Sequence, residues 1–159
     1  MVTLGGLLAS LVGCDAQRIE KLEEGVATEA DVRRQFGQPH AVEARPDGIK
    51  VLDYPRQPEG WTNYVITIGA DGKMSSLRQL LTPANFARIQ PGMGKLEVMQ
   101  MLGKVARSSF YELKGEEVWD WRFKDGQLSK QFSVTFDRQG TVLATAIADD
   151  PREALAGGR

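Results

Sequence analysis

The chain has 159 residues, 42% of them hydrophobic and 26% charged, with a formal net charge of −1. That length suits one ordinary domain or two very small ones, and the near-neutral balance argues against a generic nucleic-acid binder, which carries a basic excess. One cysteine excludes an intramolecular disulfide, and one histidine leaves the familiar zinc sites and Ser/His/Asp triads nearly out of reach, so no catalytic residue, metal or cofactor is expected.

The first feature along the chain is an uncharged run from Leu4 to Gly13. It is too short to span a bilayer, which takes about 20 residues, but it suits the apolar region of a signal peptide. It ends Leu11-Val12-Gly13-Cys14, which resembles a bacterial lipobox, although Met1-Val2-Thr3 lacks the usual basic residue. The resemblance implies a signal peptide over 1–13 and a lipidated Cys14 at the mature terminus. Several acyl chains, at about 0.8 kcal/mol per buried methylene, make a stable anchor. It also implies a cell-envelope protein facing the periplasm, in the outer membrane or, given Asp15, the inner one.

After the anchor, Ala16 to Leu22 reads as a short helix. Thr28 is a good N-cap with acidic Asp31 at N3, Val32 and Phe36 share a helical stripe, and Gly37 is placed for a left-handed C-cap. Val51-Leu52-Asp53-Tyr54 and Tyr64-Val65-Ile66-Thr67-Ile68 read as strands, the second with a period of two. Asp71-Gly72 supplies a turn and Met74 opens the return strand.

The second half repeats this order. Thr82-Pro83 reads as N-cap and N1 of a short helix with Phe86 and Ile89 inward. Val98, Met101 and Leu102 form the next stripe, ended by Gly103. Val118-Trp119-Asp120-Trp121 and Phe132-Ser133-Val134-Thr135-Phe136 are strands, with Gln139-Gly140 as turn and Val142 opening the return. Gly37 and Gly103 lie 66 residues apart, Val51 and Val118 67, and Tyr64 and Phe132 68. Blocks in one order at nearly constant offset describe a tandem duplication. The second copy has one residue fewer between its glycines, a difference placed before Val32.

The expected fold is therefore α+β: two tandem helix-helix-three-strand units, with helices packed on one face of an antiparallel sheet. Unit one covers 14–82, unit two 83–150, and 151–159 form a flexible tail. Each unit alone makes a thin core, so the two sheets are expected to lie side by side and share burial.

Other residues draw ordinary readings. His40 is an isolated loop histidine. Glu23-Glu24, Glu116-Glu117 and Asp149-Asp150 are neighbours whose side chains diverge, hence solvated surface rather than acid/base pairs. Trp119 and Trp121 share a strand face and are expected in the core, with Val118, Asp120, Ser133 and Thr135 outward. Trp61, in the loop Pro58-Glu59-Gly60-Trp61, is harder to bury and is the candidate partner-binding residue.

Pro91-Gly92-Met93, followed by Val98 and Leu102-Gly103, resembles the signature of the outer-membrane assembly factor BamE (SmpA/OmlA) family. The likeness covers Ile89 to Leu143 well and Leu22 to Leu80 more weakly, since Gly25-Val26 stands where that signature has Pro-Gly-Met. The two-unit form also resembles the tandem β-lactamase inhibitor protein. The first resemblance implies a non-enzymatic accessory or scaffold that supports outer-membrane β-barrel assembly by contacting envelope proteins, among them assembly-machinery subunits. The second implies an inhibitor-type binder that clasps an enzyme with a concave sheet.

Overall fold

The computed structural model describes residues 14–156. The segment read as a signal peptide lies outside them, and Cys14 is their first residue. Two short helices come first, α1 (Cys14–Ile19) and α2 (Glu29–Phe36), then strands β1 (Ala41–Ala44), β2 (Lys50–Pro55), β3 (Asn63–Ile68) and β4 (Met74–Gln79). The order then recurs: α3 (Pro83–Phe86), α4 (Lys95–Leu102), β5 (Arg107–Tyr111), β6 (Glu116–Asp125), β7 (Leu128–Phe136) and β8 (Val142–Asp149), closed by α5 (Pro151–Ala156). The fold is α+β with two antiparallel four-stranded sheets, β1-β2-β3-β4 and β5-β6-β7-β8.

Each sheet thus has one strand more than expected. β1 and β5 are edge strands whose residues are almost all exposed, so neither carries the alternation that marks a half-buried strand. Residues 151–156, read as a flexible tail, form α5 instead. Asp150 caps that helix: its Oδ1 accepts from Arg152 N at 3.0 Å, ahead of Pro151 at the first helical position.

The recurrence of element order extends to individual backbone hydrogen bonds. In the first half Met74 N donates to Ala27 O (2.7 Å) and Gly25 N to Met74 O (2.8 Å). In the second Val142 N donates to Met93 O (2.8 Å) and Gly92 N to Val142 O (2.9 Å). The bridges Thr28–Lys73 and Gly94–Thr141 tie each main helix start to the turn before the last strand. Both sheets carry a register shift at matched places, Thr67/Ile68 and Thr135/Phe136. These pairs make Gly25 the counterpart of Gly92 and Ala27 that of Met93. The extra residue of the first copy is therefore the exposed Val26.

Local chemistry explains the helices. Thr28 and Asp31 form a reciprocal capping box, with Thr28 N to Asp31 Oδ2 at 2.9 Å and Asp31 N to Thr28 Oγ1 at 3.3 Å. Gly37 and Gly103 end α2 and α4 at φ of 82° and 72°, but with ψ of −159° and −158°. That region is essentially glycine-only and is not the left-handed cap the sequence suggested, which explains glycine at both positions more strictly.

Burial follows the strand period. Val32 and Phe36 fall in one cluster with Leu52, Tyr54, Tyr64, Ile66 and Ile68, while Val98 and Leu102 fall in another with Trp121, Phe132, Val134 and Phe136. The expectation of shared burial gives way to two separate cores with a polar junction between them.

Candidate functional site

Three places combine exposure, shape or charge in ways the cores do not require.

The first is the junction of the halves, formed by the loop between β2 and β3. Gln57 presents its side-chain amide to the backbone of Arg122, with Nε2 to O at 2.8 Å and Arg122 N to Oε1 at 3.1 Å. β5 pairs with β6 only as far as Asp120, so the amide substitutes for the missing strand. Asn63, fully buried, donates from Nδ2 to Leu102 O and Lys104 O, both at 2.8 Å, and so closes the C-terminus of α4 from the other half. Arg122 meets Asp150 at 2.6 Å and donates to Pro58 O (3.0 Å) and Glu59 O (3.1 Å). Both of those side chains are buried, so Asp150 is not solvated surface as its neighbour Asp149 is.

Trp61 belongs to this junction. It is half-buried rather than displayed, with Lys124 Nζ 4.3 Å and Arg122 Cζ 5.1 Å from its ring centroid. Its indole N–H is buried without a hydrogen-bond partner among the described residues. His40 is exposed, in the loop before β1.

The second place is the open face of the second sheet, opposite Trp119, Trp121 and Phe123. Trp121 is fully buried and Trp119 packs against its cluster, as expected. Asp120 was expected outward in solvent, but it is buried. It accepts from Arg107 Nη2 (2.8 Å), Ser133 Oγ (2.6 Å) and Gln131 Nε2 (3.1 Å), so its carboxylate is bonded as well as buried. Beside this network β8 presents Ala144, Ala146 and Ala148, all exposed.

The same sheet ends in the β5–β6 hairpin. Phe110 is 58% exposed, Tyr111 51% and Leu113 104%, on a turn closed by Gly115 N to Tyr111 O at 2.9 Å. Gly115 has φ of +65°, a conformation that favours glycine, and the flexible guanidinium end of Arg138 lies across it. The base of the hairpin is fixed by charge. Glu117 bonds Lys95, Trp119 Nε1 (2.5 Å) and Ser108 Oγ (2.8 Å). The Lys95 ammonium, first among these, holds the Glu117 carboxyl below its ordinary range.

The third place is a groove of about 400 Å³ between the first sheet and α4, lined by Asp53, Val65, Leu80, Met99 and Val105, with His40 and Lys104 at its edge. Burial pushes the Asp53 carboxyl above its usual range, and the charges of His40 and Lys104 oppose that shift.

Among the described residues there is no His/Cys/Asp/Glu cluster that could hold a metal, and no helix is long and apolar enough to cross a membrane. Sequence reasoning singled out Cys14 and Trp61; the structure assigns Trp61 to the junction and describes nothing of the Cys14 side chain. It missed the hairpin tip, whose signal was three large apolar residues within Phe110-Tyr111-Glu112-Leu113 beside a glycine turn.

No protein-family model matches the chain, and neither does any curated protein. The likeness to the BamE family therefore rests on the quoted residues alone. Among solved structures, the chain is similar to the DUF4309-family protein YjgB of Bacillus subtilis, at 19% identity and a TM-score of 0.34, over 84% of this chain and 86% of that one. A candidate β-lactamase inhibitor protein from Streptococcus mutans is similar at 13% identity and a TM-score of 0.34, over 84% and 94%. A Bacillus anthracis extracellular protein containing an SCP domain follows at 9% and 0.31, over 86% and 46%. Likenesses of that size carry no functional weight.

Proposed function

We propose that this chain is a lipid-anchored cell-envelope protein that works by binding another protein, not by catalysis. One observation carries the reading: Phe110, Tyr111 and Leu113, three large apolar residues within four positions, are all exposed at the end of one hairpin. Exposing them is costly, and apolar and aromatic groups at a protruding tip are the usual anchors of a protein interface. The hairpin is held rigidly at its base by Lys95, Glu117 and Trp119, so little ordering entropy is lost on docking.

The anchor is assigned to Cys14, after a signal peptide over 1–13, because the lipobox-like Leu11-Val12-Gly13-Cys14 follows an uncharged run. Units 14–82 and 83–150 with helices on one sheet face make the scaffold. Within this reading, the BamE-like Pro91-Gly92-Met93 favours an accessory role in outer-membrane β-barrel assembly. The repetition of one strand order in two sheets favours a second reading, an inhibitor that clasps an enzyme.

Copurification from envelope membranes separates them. Recovery of barrel-assembly subunits supports the scaffold, recovery of a hydrolase supports the inhibitor, and recovery of neither overturns both. Palmitate labelling tests the anchor: Cys14→Ser must lose the label, and equal labelling of the two proteins refutes it.

A further inference from the structure

The groove between the first sheet and α4 has a composition that its position does not explain. Its floor is apolar, from Val65 and Leu80 on one side and Met99 and Val105 on the other. One carboxylate, Asp53, lies in that lining, on the β2–β3 face opposite Leu52 and Tyr54. The Asp53 backbone carbonyl accepts from His40 N at 2.7 Å, but among the described residues no donor reaches its side-chain oxygens. Lys104 and His40, both exposed, act on it only through space.

The Asp53 side chain is half-buried, with its oxygens reached by water but by no donor among the described residues, an arrangement that a close counter-charge improves. That counter-charge arrives when a cation with an apolar stem lies along the floor and brings its charge to the carboxylate. The arginine side chain has that form, because its methylenes cover apolar surface while a planar, weakly hydrated guanidinium pairs with a carboxylate through two parallel hydrogen bonds. We infer that this groove is a receptor for an arginine side chain of a bound protein, with Asp53 as the counter-charge and Val65, Leu80, Met99 and Val105 as the bed for its stem. The inference does not depend on the hairpin tip, which lies on the other sheet, and the two sites fail or stand separately.

The test is amide-resolved NMR on the full chain, titrated with acetyl-Gly-Gly-Arg-Gly-Gly-amide and with the same peptide carrying citrulline, the neutral isostere. The expected result is a saturable shift of the Val65, Met99, Gly103 and Val105 signals with the arginine peptide. Citrulline should weaken binding at least tenfold. Asp53→Asn, which keeps the side-chain shape and removes no hydrogen bond, should do the same at an unchanged melting temperature. The inference is overturned if the arginine peptide gives no saturable shift or if the two peptides bind alike. Binding that survives in a folded Asp53→Asn protein also overturns it. Free agmatine saturating the groove at concentrations tenfold below the peptide would sink the assignment to a protein side chain.

Discussion

Asn63, Gln57 and Arg122 show how single polar residues join two halves that do not share a core. Each satisfies backbone groups of the other half, and each is buried, so losing one strands its partner. Asp150→Ala would leave the Arg122 guanidinium buried with only carbonyl partners, a loss of about 3–5 kcal/mol for breaking a buried pair. Urea denaturation checks this, and Arg122→Met combined with Asp150→Leu should be less damaging than Asp150→Ala alone, because no unpaired charge remains. The matched glycines allow a second comparison. Both Gly37→Ala and Gly103→Ala force an L-residue into a glycine-only region, at about 1–3 kcal/mol each. Gly103→Ala should be the worse of the two, since its new methyl would lie 3.2 Å from Asn63 Nδ2 and 3.3 Å from Leu80 Cδ1 while that of Gly37 meets nothing. Equal denaturation midpoints would show that Asn63 yields freely.

At the level of elements, α2 and α4 were legible because their caps and stripes are local: Thr28 with Asp31, Val32 with Phe36, Val98 with Leu102. The inner strands were legible from Tyr64-Ile66-Ile68 and Phe132-Val134-Phe136, which alternate. β1 and β5 were not, because an edge strand exposed on both faces leaves no pattern. The start of α5 was present in Asp149-Asp150-Pro151, a cap followed by proline, but acidic neighbours before a Gly-rich end read equally as a tail. The capping box also predicts a pH dependence. The Thr28 backbone N–H, then its hydroxyl and Arg34, hold the Asp31 carboxyl down at about 2. A depressed folded-state value means that the box stabilises fully above the ordinary aspartate range and loses that contribution as pH falls toward 2. NMR titration should place the Asp31 midpoint near 2, and Thr28→Ala, which removes the hydroxyl but keeps the backbone N–H, should raise it only part of the way toward 3.8, the ordinary aspartate value.

On the scale of the whole molecule, two small cores are held together by a polar seam, and function is assigned to what the seam and cores leave over. The seam was invisible in the sequence for a physical reason. Gln57, Asn63, Arg122 and Asp150 are polar residues of types that are usually exposed, and only their distant partners make them buried. The same rule hid the Asp53 groove, whose walls come from both halves. Trp61 stood out in the sequence because it is large and in a loop. The seam claims it, so Trp61→Ala should lower the melting temperature as well as alter any binding.

The hairpin tip carries the central claim, and one measurement addresses it most directly. Wild-type protein and a Phe110→Ser, Tyr111→Ser, Leu113→Ser variant would be cross-linked in envelope membranes and their partners compared, with melting curves recorded for both. None of the three side chains is in either core, so the variant should melt within a few degrees of wild type while its specific cross-linked partner is lost. A variant that melts normally and retains the same partner at the same yield would contradict the account.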